Sequence, residues 1–522
     1  MLHFNTIDLV VFFSYIVFII ALGLWVSREK KGHEKDAKDY FLASRALPWW
    51  AVGASIIASN ISAEQIIGMS GSGYVLGLAI ASYEWMSALT LILVAKFFLP
   101  IFLEKQIYTM PQFLEIRFDK RVRTSLALFW LLVYIFVNLT SVLYLGALSM
   151  QTILGVPMLY GVLGLAVFSA LYTIYGGLKA VAWTDVFQVV ILIGGGLITT
   201  WLALDAVAGG SGIIAGFTKL LAKAPDKFDM ILPQDSPGYK DLPGISVIIG
   251  GMWIANLFYW GCNQYITQRA LAAHSVKQAQ RGLAFAAYLK LLMPLIVVVP
   301  GICAFVLQAE IKAPDQAYPW LLSTFVPSGL KGLAFAALIA AIVSSLSSMV
   351  NSTATIFSMD IYKELIHKDS SEKRLVLVGR IASAIALVVA VLIAPSLKTL
   401  DQAFQFIQEF TGFVSPGILA IFMFGLFWKK ATANSALWAA ILTLPLSMAF
   451  KYWGAGIPFL DRMGLVFLIL SAIVIVITLL ENKGDDSKAI VFSRHLFATG
   501  ARFNVAAVGV CAILTVLYSL FW

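Results

Sequence analysis

The sequence predicts an all-α integral membrane protein of about fourteen transmembrane helices, and three observations carry that expectation. Of 522 residues, 60% are hydrophobic and 12% charged, and mean hydropathy is +0.87; an ordinary soluble domain is about a quarter charged. Runs of about 20 residues nearly free of charge recur along the whole length, enough to cross a hydrocarbon core roughly 30 Å thick. The runs lack the two-residue alternation of barrel strands, and lipid satisfies no backbone donor or acceptor, so each must close its own hydrogen bonds as a helix.

In order, the expected spans run near residues 7–26, 48–75, 78–103, 124–154, 158–176, 181–206, 245–267, 280–308, 330–362, 376–396, 400–427, 432–452, 459–480 and 502–521. The first lacks a basic leader and a small-residue cleavage site, so it reads as a retained helix. The net charge of +9 resides in alternate connections, "SREKKGHEKDAK", "RFDKRVRT", "TQRALAAHSVKQAQRG", "YKELIHKDSSEKRL" and "WKKATAN". The positive-inside rule makes these cytoplasmic, and an even span count then puts both termini outside. With no soluble domain to carry a basic face, nucleic acid is excluded as the partner and the lipid bilayer is the surrounding. The longest polar segment, Val207 to Leu242, mixes lysines with aspartates and reads as an outer loop with some helix.

Soluble-style chemistry finds little support. Cys262, Cys303 and Cys511 have no framework spacing and read as small core residues. The histidines, His3, His33, His274, His367 and His495, fall in loops, termini or span ends, which argues against an intramembrane hydrolase, and "GMSGSG" lacks the lysine of a phosphate loop. The chain is not expected to be an enzyme.

Polar groups at membrane depth are informative because each charge costs about 2.5 to 3.5 kcal/mol at a helix centre. Glu64, Glu84, Asp185, Lys290 and Glu409 are the ionisable ones. They either tie helices together or line a path; Glu84 and Lys290, well inside their spans, favour the path. Asn60, Ser62, Gln65 and Ser70 crowd the second span, and Asn256, Asn263 and Gln264 the seventh, five spans later. Inverted-repeat transporters break the first helix of each repeat at the midplane, where freed carbonyls and helix ends bind ion and substrate. Glycine kinks glued by Ser and Asn are the competing explanation. In "FAALIAAIVSSLSSMVNSTATIFSMDIY", Ser344, Ser345, Ser347 and Ser348 offer neutral oxygens, suited to sodium or to interhelical bonding.

On "LPWWAVGAS", "NISAEQ", "GMSGSGY", "GLAIASYEWMSA", "IYGGLKAVAWTDV", "FAALIAAIVSS" and "TGFVSPGILA", the chain resembles the sodium:solute symporter family over nearly its whole length. The resemblance implies two inverted five-helix repeats, about 48–206 and 245–427, preceded by a leading helix and basic loop (1–47), separated by an extracellular loop (207–244), and followed by three further helices (428–522). It implies sodium-coupled symport of a small neutral sugar, galactose or glucose, by alternating access in a bacterial inner (plasma) membrane. Sugar contacts implied are Asn60, Gln65, Glu84, Ser87, Asn256, Lys290 and Gln408. Tyr259 would form the inner gate, with Met69, Tyr83 and Phe404 on the outer side and Trp260 a further gate residue. Sodium would sit on the carbonyls of Ala58, Ile61 and Ala341 and the hydroxyls of Ser344 and Ser345; Ser347 stands where a close relative has a small apolar residue, and with Asp185 it is a candidate second sodium site, as in members coupled to two sodium ions.

Phe258 departs from the tyrosine of a close relative, and the loop near Val306 to Pro319 is shorter than expected. Symport of an amino acid, vitamin or anion, and an uncoupled channel or sensor, stay open at this level, as do monomer and homodimer.

Overall fold

The computed structural model describes residues 5–28, 36–399, 403–493 and 495–522. His3, His33, most of the first basic connection and the start of the expected span 400–427 lie outside the described residues. The principal helices are α1 (Thr6–Val26), α2 (Trp49–Asn60), α3 (Glu64–Phe97), α4 (Lys120–Leu154), α5 (Met158–Ala208), α6 (Gly251–Leu257), α7 (Gln264–Leu271) and α8 (Val276–Val306). They continue as α9 (Leu330–Ile366), α10 (Glu372–Leu397), α11 (Ala403–Gly412), α12 (Ser415–Phe427), α13 (Ala433–Trp453), α14 (Phe459–Glu481) and α15 (Ala501–Leu520). Among the described residues ten helices are long and apolar enough to cross a membrane, and the α11–α12 pair, bent by 49°, makes eleven. The loop after α5 carries a short helix, Ile213–Lys223.

Two glycines turn the chain where the sequence expected one span to end and the next to begin. Gly77 (φ 76, ψ −150) bends α3, and Gly177 (φ 65, ψ −157) bends α5. Only a residue without Cβ adopts these angles at low cost. A Cβ at Gly77 would also lie 2.3 Å from the Lys227 carbonyl oxygen, and one at Gly177 2.4 Å from that of Tyr40. Gly177→Ala is therefore expected to cost about 1 to 3 kcal/mol, read as a lowered thermal midpoint of the purified protein.

The core is built around α9, which is buried over nearly its whole length and packs along α5. Small residues set that approach: a Cβ on Gly195 of α5 would fall 2.8 Å from the Ala337 side chain of α9. The leading helix is fastened to the same element, because Asp8 accepts from the backbone N–H of Gly329 (2.7 Å) and Gly332 (2.9 Å). Another buried charge, Arg117, donates to the carbonyls of Gly425, Trp428 and Ala431 at 2.9 to 3.0 Å, closing the C-terminal end of α12.

Candidate functional site

Both polar runs are helix breaks. The backbone leaves the helical region at Ile61 (φ −77, ψ 101), between α2 and α3, and at Asn263 (φ −82, ψ 126), between α6 and α7. A π-helical turn adjoins each break, over Glu64–Met69 and Phe258–Cys262. In a continuous helix the Ser62 N–H would donate to the Ala58 carbonyl. Here it donates to Gln65 Oε1 at 3.1 Å, while the Ser62 hydroxyl donates to the same atom at 3.0 Å and accepts from the Glu64 N–H. Two side chains thus cap the restarted helix and release the carbonyls behind it.

The breaks border one cavity. All seven expected sugar contacts, Asn60, Gln65, Glu84, Ser87, Asn256, Lys290 and Gln408, line it, as do all five expected gate residues, Met69, Tyr83, Tyr259, Trp260 and Phe404. Lys290 is fully buried and donates to Glu84 Oε2, with its ammonium 5.1 Å from the Trp260 ring. The Trp260 indole N–H donates to Ser87 Oγ (2.8 Å), and Ser87 donates to Asn256 Oδ1 (2.6 Å). Across the cavity Asn60 donates to the Tyr259 hydroxyl (2.9 Å), which also accepts from Tyr265 (2.6 Å). Tyr83 and Phe404 meet edge to face with centroids 5.2 Å apart. The wall is thus acceptors, donors and aromatic faces in close alternation, as binding of a neutral polyhydroxylated ring requires.

The residues expected to hold sodium are buried where α2 packs on α9. Ser345 Oγ lies 2.9 Å from the Ser59 carbonyl and 3.5 Å from that of Ile61. Ala341 stands one turn before Ser345 on the same face of α9. The Ser344 hydroxyl donates to Asp185 Oδ1 (2.5 Å). Asp185 also accepts from Ser55 (2.5 Å) and pairs with Arg269 at 3.6 Å. Ser347 is bonded elsewhere, its hydroxyl 3.1 Å from that of Ser169 on α5.

Sequence reasoning left several lining residues out. Glu64 was visible as a carboxylate at depth, yet only the fold puts it on the cavity wall beside Gln65. Phe459 and Met463 of α14 complete one side, and as apolar residues in an outlying span they carry no signal. Glu409 is drawn off to Lys451 (3.2 Å) and Arg462 (2.9 Å). A further hollow beside that cluster includes Asp241 of the loop, whose carboxyl is held above the usual carboxylate range by burial and by Glu409.

Comparison with known proteins gives these features a family. The chain is 55% identical to the sodium/glucose cotransporter of Vibrio parahaemolyticus, over 99% of this chain and 98% of the relative. It is 35% identical to the sodium/myo-inositol cotransporter 2 of Oryctolagus cuniculus, over 84% of this chain and 69% of that protein. Among solved structures, a sodium-coupled sialic acid symporter in a substrate-bound outward-open state superposes with a TM-score of 0.81 at 25% identity, covering 92% of this chain and 98% of that one. A nucleobase-cation-symport-1 family transporter shares the fold at a TM-score of 0.57 and 12% identity, over 90% and 99%. Residues 40–443 match the profile of one family, and by that match and these identities the chain belongs to the sodium:solute symporter family.

Proposed function

We propose that this protein carries a neutral hexose of the galactose and glucose class across the bacterial inner membrane together with sodium, by alternating access. The observation that carries the reading is the single cavity in which Glu84, Lys290, Gln65, Asn60, Asn256, Ser87 and Gln408 meet, next to the broken helix whose released carbonyls face Ser345. The 55% identical cotransporter supports both cargo and ion. An anion is disfavoured, because the wall offers two carboxylates, Glu64 and Glu84, against one ammonium. The chain is a carrier in this reading, with no catalytic step.

Fourteen spans in two inverted repeats fit the geometry. To the eleven long or bent helices are added three shorter or broken crossings: α2 with the start of α3, the α5 segment before Gly177, and α6 with α7. The matched breaks at Ile61 and Asn263 are the first helices of the two repeats, and both termini lie outside.

Sodium binds the carbonyls of Ala58, Ile61 and Ala341 and the hydroxyls of Ser344 and Ser345, holding the break in the shape that Gln65 needs to meet the sugar. Each ligand then raises affinity for the other by the same factor. A potential of 100 mV contributes about 2.3 kcal/mol per charge, roughly fifty-fold sugar accumulation for one sodium. A second sodium at Asp185 and Ser347 requires Arg269 to swing off the carboxylate.

Reconstituted protein is expected to take up labelled galactose only with an inward sodium gradient. Glucose should compete, and proline and sialic acid should not. Gradient-independent flux would mark a channel, and competition by proline alone would replace the cargo. Ser345→Ala should raise the sodium concentration for half-maximal uptake on the order of tenfold, the loss of one ligand to a charge.

A further inference from the structure

The connection from α14 to α15, described over residues 482–493 and 495–500, has no helix of its own, and the charge pattern puts it on the cytoplasmic side. Connections this long without secondary structure are uncommon in a compact fold and are mostly functional. Its first half is pinned by polar contacts. The Asp486 N–H donates to the Lys429 carbonyl (3.1 Å), the Asp486 carboxylate lies 3.9 Å from Arg117, and Lys488 Nζ donates to the Phe118 carbonyl (2.7 Å).

Its second half is held by aromatic rings. Phe492 meets Phe427 at the end of α12 (centroids 6.1 Å apart), and Phe497 meets both Phe492 (5.1 Å) and Phe97 at the end of α3 (5.7 Å). Phe427 also packs on Phe98 (5.7 Å), and Phe98 lies against the π-helical turn that carries Tyr259 and Trp260: a Cβ on Gly261 would be 3.1 Å from its ring. A run of rings thus leads from this connection to the inner-gate turn. α3 belongs to the first expected repeat and α12 to the second, and alternating access moves one repeat against the other. A segment packed on the ends of both resists their separation, while half-buried ring pairs hold weakly enough to part within a cycle.

We infer that Phe492 and Phe497 form a cytoplasmic clasp that holds the inner side shut and must part from Phe427 and Phe97 before sugar leaves past Tyr259; the inference rests on the symporter reading. Cys262, fully buried beside Gly261, is a built-in reporter of that opening. With Cys303→Ala and Cys511→Ala leaving it the only thiol of the full-length chain, Phe492→Ala and Phe497→Ala should each raise its rate of alkylation by N-ethylmaleimide about two- to tenfold, the range of one aromatic pair. Retained sodium-dependent galactose binding reports that both variants fold. In the opposite direction, Phe97→Cys with Phe497→Cys, joined by a reducible cross-link in the same background, should slow Cys262 alkylation and stop galactose uptake with binding retained, and reductant should restore both. Unchanged alkylation in both alanine variants overturns the inference, as does uptake at the unlinked rate by the linked protein, or loss of galactose binding on linking. Alkylation is read without sugar, so absence of galactose binding by the wild type would overturn the symporter reading and leave the clasp still tested.

Discussion

Lys290→Ala is expected to abolish sodium-driven sugar uptake, by on the order of 100-fold or more, while the protein still inserts. Lys290 and Glu84 are 0% and 2% exposed and bonded to each other at the cavity wall. Removing one partner of such a pair costs about 3 to 5 kcal/mol, because the other is left charged and unpaired, and each 1.4 kcal/mol is a factor of ten. Transport and folding losses separate in the double variant Lys290→Met with Glu84→Gln. It removes the stranded charge and should recover thermal stability, since a buried ion pair is often replaceable without loss. It should not recover uptake, since the sugar would still lack its ammonium donor and its carboxylate acceptor. Uptake by Lys290→Ala at the wild-type rate, with normal membrane abundance, would place the sugar elsewhere.

How much of this was legible in the sequence depends on the range of the interaction. Apolar runs mark the helices because lipid imposes the pattern residue by residue, and the turns at Gly77 and Gly177 fall at the expected span boundaries. The breaks at Ile61 and Asn263 fall within the polar runs, since amides and hydroxyls in a span are tolerated where they serve freed backbone. What local pattern does not encode is which distant side chain answers a buried charge. Asp185 meets Arg269 from α7, and Glu409 meets Lys451 and Arg462 from α13 and α14. Those partners follow from how whole helices pack, as does the arrival of Phe459 and Met463 at the cavity. For the same reason Glu64 could be recognised as costly without its place on the cavity wall being visible.

Gln65→Ala tests whether ion and sugar are coupled through the break itself. Its Oε1 accepts from the N–H and the hydroxyl of Ser62, taking the donor that a closed helix would give to the Ala58 carbonyl. Its Nε2 is left for a ligand in the cavity it lines. With alanine, Ser62 N–H either stays buried and unpaired, at about 1 to 3 kcal/mol, or closes on Ala58 and withdraws a proposed sodium ligand. Both routes penalise the state that binds sodium, so half-saturating concentrations for sugar and for sodium should both rise, each on the order of tenfold. Gln65→Glu divides the two roles. The carboxylate still accepts from Ser62 and holds the break, so sodium activation should stay near the wild type, whereas the lost amide donor should weaken sugar binding alone. If Gln65→Ala weakens only the sugar and leaves sodium activation untouched, the released carbonyls do not depend on this side chain and the two ligands communicate by another route.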